Sequence, residues 1–200
     1  IKNKVNQHYL IDSEDKYMER CLLNKGYQTQ NWSFAQTLLS THNTAVDIGA
    51  SVGMNAINYA QVFRTVEAFE PDPDVYHCLC ETVTANSCDT VNTHPVALSD
   101  TVAVNTLVKF PRATFANTLL PQGYRGRSRP QLRVQTHTLD SYGLAGVSFI
   151  KIDVEGWELA VLKGSADTIE TQSPVVQVEI KPHLLKRSGT VPQDIFKWFE

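Results

Sequence analysis

Acidic side chains recur in this sequence at the ends of short apolar runs, where a folded chain would present them. Val46-Asp47-Ile48-Gly49-Ala50-Ser51-Val52-Gly53 closes one run with a small-residue turn, and Val66-Glu67-Ala68-Phe69-Glu70-Pro71 closes the next with a carboxylate. Lys151-Ile152-Asp153-Val154-Glu155-Gly156-Trp157-Glu158 sets three acids where a third run gives way to a helix; Glu179, Lys181 and His183 follow a fourth. The first two segments suit a nucleoside. A turn of small residues lets backbone come close to a ligand, and a carboxylate about twenty residues on accepts two hydrogen bonds from a ribose diol. The last two segments supply groups able to take a proton from a hydroxyl.

These residues need a scaffold that brings strand ends together. Strands are expected at Thr44–Ile48, Thr65–Glu70, Val91–His94, Val147–Ile152 and Val175–Ile180, from their short apolar runs bounded by turn residues. Helical patterns fill the gaps: Met54–Val62, a helix opened by Asp72 as N-cap with Pro73 behind it and closing near Asn86, and one ending near Gly164. The alternation predicts an α/β fold with an open, mostly parallel sheet and helices on both faces. In such sheets ligands bind beyond the carboxyl ends of the strands, which places Asp153 in the site.

Residues 1–40 form a separate helical segment, read as a cap or lid, with helical spacing in Tyr17, Cys21 and Leu22 and aromatics at Tyr27 and Trp32 between its helices. Residues 41–200 form the main domain. Within it, 101–137 interrupt the alternation as an inserted β-hairpin with a long Gly/Arg/Pro-rich tip. Thr101 to Leu139 holds six bases and no acid, while the rest of the chain holds 12 bases against 21 acids. Charge so divided marks a docking surface for an anionic partner. Arg112, Arg125, Arg127, Arg129 and Lys181 are the candidate substrate-binding residues. A terminal helix over Gln193–Glu200 is expected to turn Ile195, Phe196 and Phe199 to one side.

Gly-x-Gly-x-x-Gly, which a dinucleotide's pyrophosphate requires, is absent. Asp47-Ile48-Gly49-Ala50-Ser51-Val52-Gly53 instead resembles motif I of S-adenosylmethionine-dependent methyltransferases. The chain as a whole resembles the FkbM methyltransferase family. Besides that motif, the likeness rests on Ala68-Phe69-Glu70-Pro71-Asp72-Pro73, Val96-Ala97-Leu98-Ser99-Asp100 and Thr138-Leu139-Asp140. It continues in Phe149-Ile150-Lys151-Ile152-Asp153-Val154-Glu155-Gly156-Trp157-Glu158 and Val161-Leu162-Lys163-Gly164.

The resemblance implies a Rossmann-like class I methyltransferase fold and methyl transfer from S-adenosyl-L-methionine to a hydroxyl of a sugar, glycan or small metabolite. By position it implies that Asp47, Gly49, Ala50, Ser51 and Gly53 serve the methionine end, and Glu70 the ribose. Pro71, Asp72, Ala97 and Leu98 would line the adenine, where Ser99 or Asp100 could reach its amine. Asp153 and Glu155 would face the methyl group and acceptor, with Asp153 the first candidate base and Glu179 and His183 behind it. No metal is assigned; a divalent ion at Asp153 and Glu155 is a lesser alternative. The sheet of this fold would normally gain a last antiparallel hairpin, for which no pattern is present.

Two other functions compete. A nucleic-acid 2′-O-methyltransferase would use the Arg-rich insertion on phosphates, with Asp153 and Lys181 in a Lys-Asp-Lys-Glu set. A non-catalytic S-adenosylmethionine-binding subunit would keep the pocket alone. No apolar run is long enough to span a bilayer. The four cysteines lack metal-ligand spacing and read as free thiols of a reducing, cytoplasmic compartment.

Overall fold

A computed structural model describes residues 1–2, 6–23, 35–110, 112–119 and 129–200. Its centre is a five-stranded, wholly parallel sheet in the order β3-β2-β1-β7-β8. The strands are β1 (Thr44–Ile48), β2 (Thr65–Phe69), β3 (Val91–His94), β7 (Val147–Ile152) and β8 (Val175–Val178). β1 is buried along its whole length. That burial explains why apolar residues stand on both its faces, Ala45 on one and Val46 and Ile48 on the other.

Side-chain parity sorts the two faces. Val46, Ile48, Phe69, Ile150 and Ile152 pack with Leu162 of α4 (Glu158–Lys163), Leu185 of α6 (Pro182–Leu185) and Ile195 of α7 (Pro192–Trp198). Ala45, Val66, Ala68 and Phe149 face the other way, onto Tyr59 of α2 (Met54–Tyr59) and Leu79 of α3 (Pro73–Ala85). There the Tyr59 ring meets Phe149 edge-on, with centroids 5.3 Å apart. α5 (Ala166–Gln172) is tied in by Asp140, whose carboxylate accepts hydrogen bonds from Thr168 N and Oγ1.

Asp72 caps α3 by accepting from the Asp74 N–H, and Pro73 sits where its missing N–H costs nothing. Several expected ends move: α2 stops at Tyr59, β2 at Phe69 and β8 at Val178. The stretch after β3 contains a short strand, β4 (Ala97–Leu98).

β4 joins a second sheet in the order β4-β6-β5. β5 (Ala103–Val108) and β6 (Gln131–His137) pair antiparallel from Ala103↔Thr136 to Val108↔Gln131, the inserted hairpin expected of residues 101–137. Residues 120–128 of its tip, with Arg125 and Arg127, lie outside the described residues, as do Tyr27 and Trp32. Near the N-terminus, α1 (Lys16–Leu23) buries Met18 and Leu22.

The terminal helix differs from expectation. Ile195 is buried and Trp198 packs beside the same core, whereas Phe196 and Phe199 are exposed. In a helix this short the i, i+3 pair Ile195 and Trp198 defines the inner face, and the two phenylalanines fall outside it. Among the described residues no helix is long and apolar enough to cross a membrane.

Candidate active site

A cavity of about 370 Å³ opens at the carboxyl end of the parallel sheet. Its floor is the turn after β1, Gly49-Ala50-Ser51, and its sides are the ends of β2, β7 and β8. Gly49, Ser51 and Gly53 all take positive φ, at 78°, 51° and 89°. A Cβ at Gly49 would overlap the carbonyl oxygen of Asp153, so only glycine lets the ends of β1 and β7 approach this closely.

The N–H groups of this turn are already engaged. Gly49 and Ala50 both donate to Phe69 O, and Ser51 N–H donates to Glu70 Oε2 at 3.1 Å. These three amides are therefore unavailable to a pyrophosphate. Glu70 Oε1 accepts the Asp72 N–H at 2.9 Å, so each carboxylate oxygen is fixed by one backbone donor and keeps a lone pair for a ligand. Burial pushes the Glu70 carboxyl up to about 7, against the pull of those two N–H groups. Pro71, Val96, Ala97 and Leu98 continue the wall beside it as an apolar surface.

At the opposite end stand Asp153, Glu155 and Glu179, with ligand oxygens all within 4.8 Å of one another. Such a trio has the chemistry to hold a cation, and part of that space is taken by the Lys181 ammonium, 2.5 Å from Glu155 and 2.6 Å from Glu179. Burial first, then the charge of Asp153, raises Glu179 to about 7, and the two carboxylates share a hydrogen bond. A carboxylate raised to this range can take up or release a proton near neutrality. Lys181 is held firmly charged: burial disfavours the charge, but the two glutamates outweigh it.

The loop carrying these acids is built locally. Glu158, itself buried, accepts the N–H groups of Gly156 and Val154 and so folds 154–157 back over the start of α4. Glu155 sits at φ 54°, a strained conformation for a residue with a Cβ, and Thr118 Oγ1 anchors its carbonyl. The three acids of this segment thus divide. Glu158 caps the loop; Asp153 and Glu155 face the cavity.

The structure brings Gly49, Ala50, Ser51, Glu70, Pro71, Ala97, Leu98, Asp153, Glu155, Glu179 and Lys181 to one cavity. Other expected residues lie elsewhere. Asp47 is fully buried behind the turn, paired with Lys151 at 3.2 Å. Asp72 is spent on capping α3 and on Lys109, 3.0 Å away. Ser99 accepts from Trp157 Nε1 and donates to Asp100, and neither residue lines the cavity. His183 is exposed on α6, off the cavity wall. Arg112 extends into solvent 3.9 Å from Glu14, and Arg129 lies over the Phe110 ring at 4.5 Å.

Gly53 also has a different reason from filling a methionine pocket. A Cβ there would stand 2.9 Å from Leu79 Cδ1, against α3. Gly53→Val is therefore expected to destabilise the fold by about 2–4 kcal/mol, from left-handed strain plus overpacking. A thermal melt without ligand checks this; an unchanged melting temperature would return Gly53 to a purely ligand-facing role.

Lys151 was missed as a site residue. It is buried in β7 opposite Asp47, donates to Gly49 O at 3.1 Å and stands 3.7 Å from Asp153. A lysine between Ile150 and Ile152 was the available signal, since a buried charge needs partners. Burial pulls its pKa down, but Asp47 and Asp153 together push it up, so it stays charged. Tyr17, Met18 and Phe115 also reach the cavity, with the Tyr17 and Phe115 rings stacked at 4.2 Å.

A parallel sheet with a cavity at its carboxyl edge, a buried carboxylate after β2 and acids after β7 defines a Rossmann-like α/β fold. Residues 47–200 match the methyltransferase FkbM domain, and the chain belongs to the FkbM methyltransferase family. Its fold is similar to that of an FkbM methyltransferase from Methylobacillus flagellatus KT, with 19% identity and a TM-score of 0.50. That similarity covers 72% of this chain and 35% of the other. Two further similar structures are a precorrin-6y C5,15-methyltransferase from Geobacter metallireducens GS-15 and a precorrin 8w decarboxylase from Methanobacterium thermoautotrophicum. The first shows 10% identity and a TM-score of 0.49, covering 84% of this chain and 69% of that one. The second shows 12% identity and a TM-score of 0.48, covering 83% and 73%. Among proteins of curated function, none matches the sequence significantly.

Proposed function

We propose that this chain is an S-adenosylmethionine-dependent O-methyltransferase acting on a hydroxyl of a sugar, glycan or small metabolite. The observation that carries the reading is Glu70 beside a turn whose amides are spent. The carboxylate is oriented for a ribose, while Gly49, Ala50 and Ser51 offer no N–H to a phosphate. That combination suits a nucleoside cofactor without phosphates and argues against a nicotinamide dinucleotide. Val96, Ala97 and Leu98 would take the adenine, and Gly49, Ala50 and Ser51 the methionine end. When bound, the cofactor supplies an already activated methyl group, so the protein's task is alignment and proton removal. Asp153, hydrogen-bonded to Glu179, accepts the proton of the acceptor hydroxyl. Lys181 holds Glu155 and Glu179 in place and donates to the acceptor's neighbouring oxygens.

None of the described arginines of the insertion, Arg112, Arg129 and Arg133, stands at the cavity, so no observation favours a nucleic-acid acceptor over a small one. The proton-accepting pair favours catalysis over a binding-only role.

Calorimetric titration with S-adenosylmethionine, S-adenosylhomocysteine and NAD tests the cofactor. Binding of the first two and not the third supports the reading; NAD alone binding overturns it. Repeating the S-adenosylhomocysteine titration across pH probes Glu70 with a ligand whose sulfur carries no charge. Ribose hydroxyls donate to the ionised carboxylate, so binding below pH 7 must first expel a proton. Affinity is expected to rise about tenfold between pH 6 and pH 8, and Glu70→Gln should bind more weakly with a flat profile. A flat wild-type profile would remove Glu70 from the ribose.

A further inference from the structure

One buried acid takes no part in the chemistry above. Asp15 is 1% exposed and lies before residue 47, where the family match begins. One of its oxygens accepts the Met18 N–H at 2.9 Å, the N-cap bond of α1. The other accepts two bonds from Thr114, its N–H at 2.9 Å and its hydroxyl at 2.7 Å. Thr114 opens the segment that returns from β5, ninety-nine residues further along the chain. Immediately beyond these anchor points, Tyr17 and Met18 on one side and Phe115 on the other form the cavity's roof, with the two rings stacked.

The far end of the returning segment is fastened independently. Asn117 Nδ2 donates to Asp72 Oδ2 at 2.8 Å, and Thr118 Oγ1 donates to the Glu155 carbonyl at 2.9 Å. Besides the ring stack, the exposed Arg112–Glu14 pair at 3.9 Å also links this end of α1 to the segment, so among the described residues Asp15 is the buried polar joint between the roof's two halves.

We propose that Asp15 is a positioning residue. By capping α1 and gripping Thr114 with one carboxylate, it makes two distant segments a single roof and so governs how long a ligand stays in the cavity. This rests on the methyltransferase reading for its ligand, S-adenosylhomocysteine, but the joint itself can be tested without one. A buried carboxylate stripped of its hydroxyl partner is poorly satisfied, which loosens the joint and not the sheet.

Asp15→Asn keeps an oxygen for the Met18 N–H and sets an amide against Thr114. Thr114→Val removes the hydroxyl alone, and Thr114→Ser restores it. Hydrogen exchange on the ligand-free proteins should show residues 16–23 and 112–119 loosening together in Asp15→Asn and Thr114→Val, with β1 and β7 unchanged and Thr114→Ser like wild type. Stopped-flow displacement of S-adenosylhomocysteine should show dissociation about tenfold faster in the first two variants and near wild type in Thr114→Ser. The proposal is overturned if only one segment loosens, or if both loosen while dissociation is unchanged. Should wild type bind no S-adenosylhomocysteine, the cofactor reading fails separately, and coupled or uncoupled exchange alone decides whether Asp15 joins the roof.

Discussion

Asp153→Asn is expected to slow methyl transfer by a factor of about 10² to 10⁴, the usual worth of a positioned general base, while S-adenosylhomocysteine binds nearly as before. Asparagine keeps the shape of the side chain and loses its ability to accept a proton. The pair with Glu179 sharpens the test. In wild type the rate should rise with pH through about 7, as Glu179 beside Asp153 loses its proton. Removing the Asp153 charge removes one of the causes that hold Glu179 up, leaving burial, so residual activity in the variant should depend on a lower pKa. Transfer of a radiolabelled methyl group to the best acceptor in a panel of sugars and small alcohols, followed from pH 5 to pH 9, measures both effects. Glu179→Gln should cost less rate and abolish the inflection near 7. Unchanged turnover in Asp153→Asn would remove Asp153 from the chemistry and leave Glu179 as the next candidate.

The elements bearing these groups were largely legible in the sequence. β1, β3 and β7 begin and end where the sequence places them; for β1 and β7 the reason is that strands buried in a parallel sheet contrast sharply with the turns around them. Asp72-Pro73 marked the start of α3 because capping is a local interaction. Strand ends then fixed most of the site, since Glu70, Asp153, Glu155 and Glu179 each follow a strand that the sheet aligns with the others.

What escaped the sequence is non-local. Asp47 looked like a ligand contact by its place in the motif, yet its partner Lys151 is recruited only when β7 pairs with β1 across a hundred intervening residues. Gly53 announced a turn but not the leucine on α3 that it abuts. The roof depends on Asp15 meeting Thr114, and no local pattern joins them. Phe196 and Phe199 were grouped with Ile195 on one helix face, whereas the short α7 turns Ile195 and Trp198 to the core.

The largest effect on stability is expected from Lys151→Met. The substitution keeps the length of the side chain and deletes the only cation paired with the buried Asp47 among the described residues. An uncompensated buried carboxylate costs about 3–5 kcal/mol, which for a chain of this size lowers the melting temperature by roughly 10 °C or more. The sign of the pH dependence separates this from mere repacking. Burial already raises the Asp47 pKa, with Lys151 pulling against it; without Lys151 it rises further. A carboxyl whose folded pKa exceeds its unfolded value favours folding below the unfolded pKa and loses that contribution as pH rises through the folded one. Lys151→Met should therefore be closest to wild type near pH 4.5 and fall away toward neutrality. Adding Asp47→Asn removes the stranded charge, so the double variant should recover part of the loss, giving a coupling energy of about 1–3 kcal/mol in a double-mutant cycle. Additive single effects, or a deficit independent of pH, would mean that Lys151 serves β7 by packing alone. The charged pair matters because Lys151 also bonds Gly49 O and flanks Asp153. The same ammonium therefore sets the turn beneath the proposed cofactor and the carboxylate that faces the acceptor.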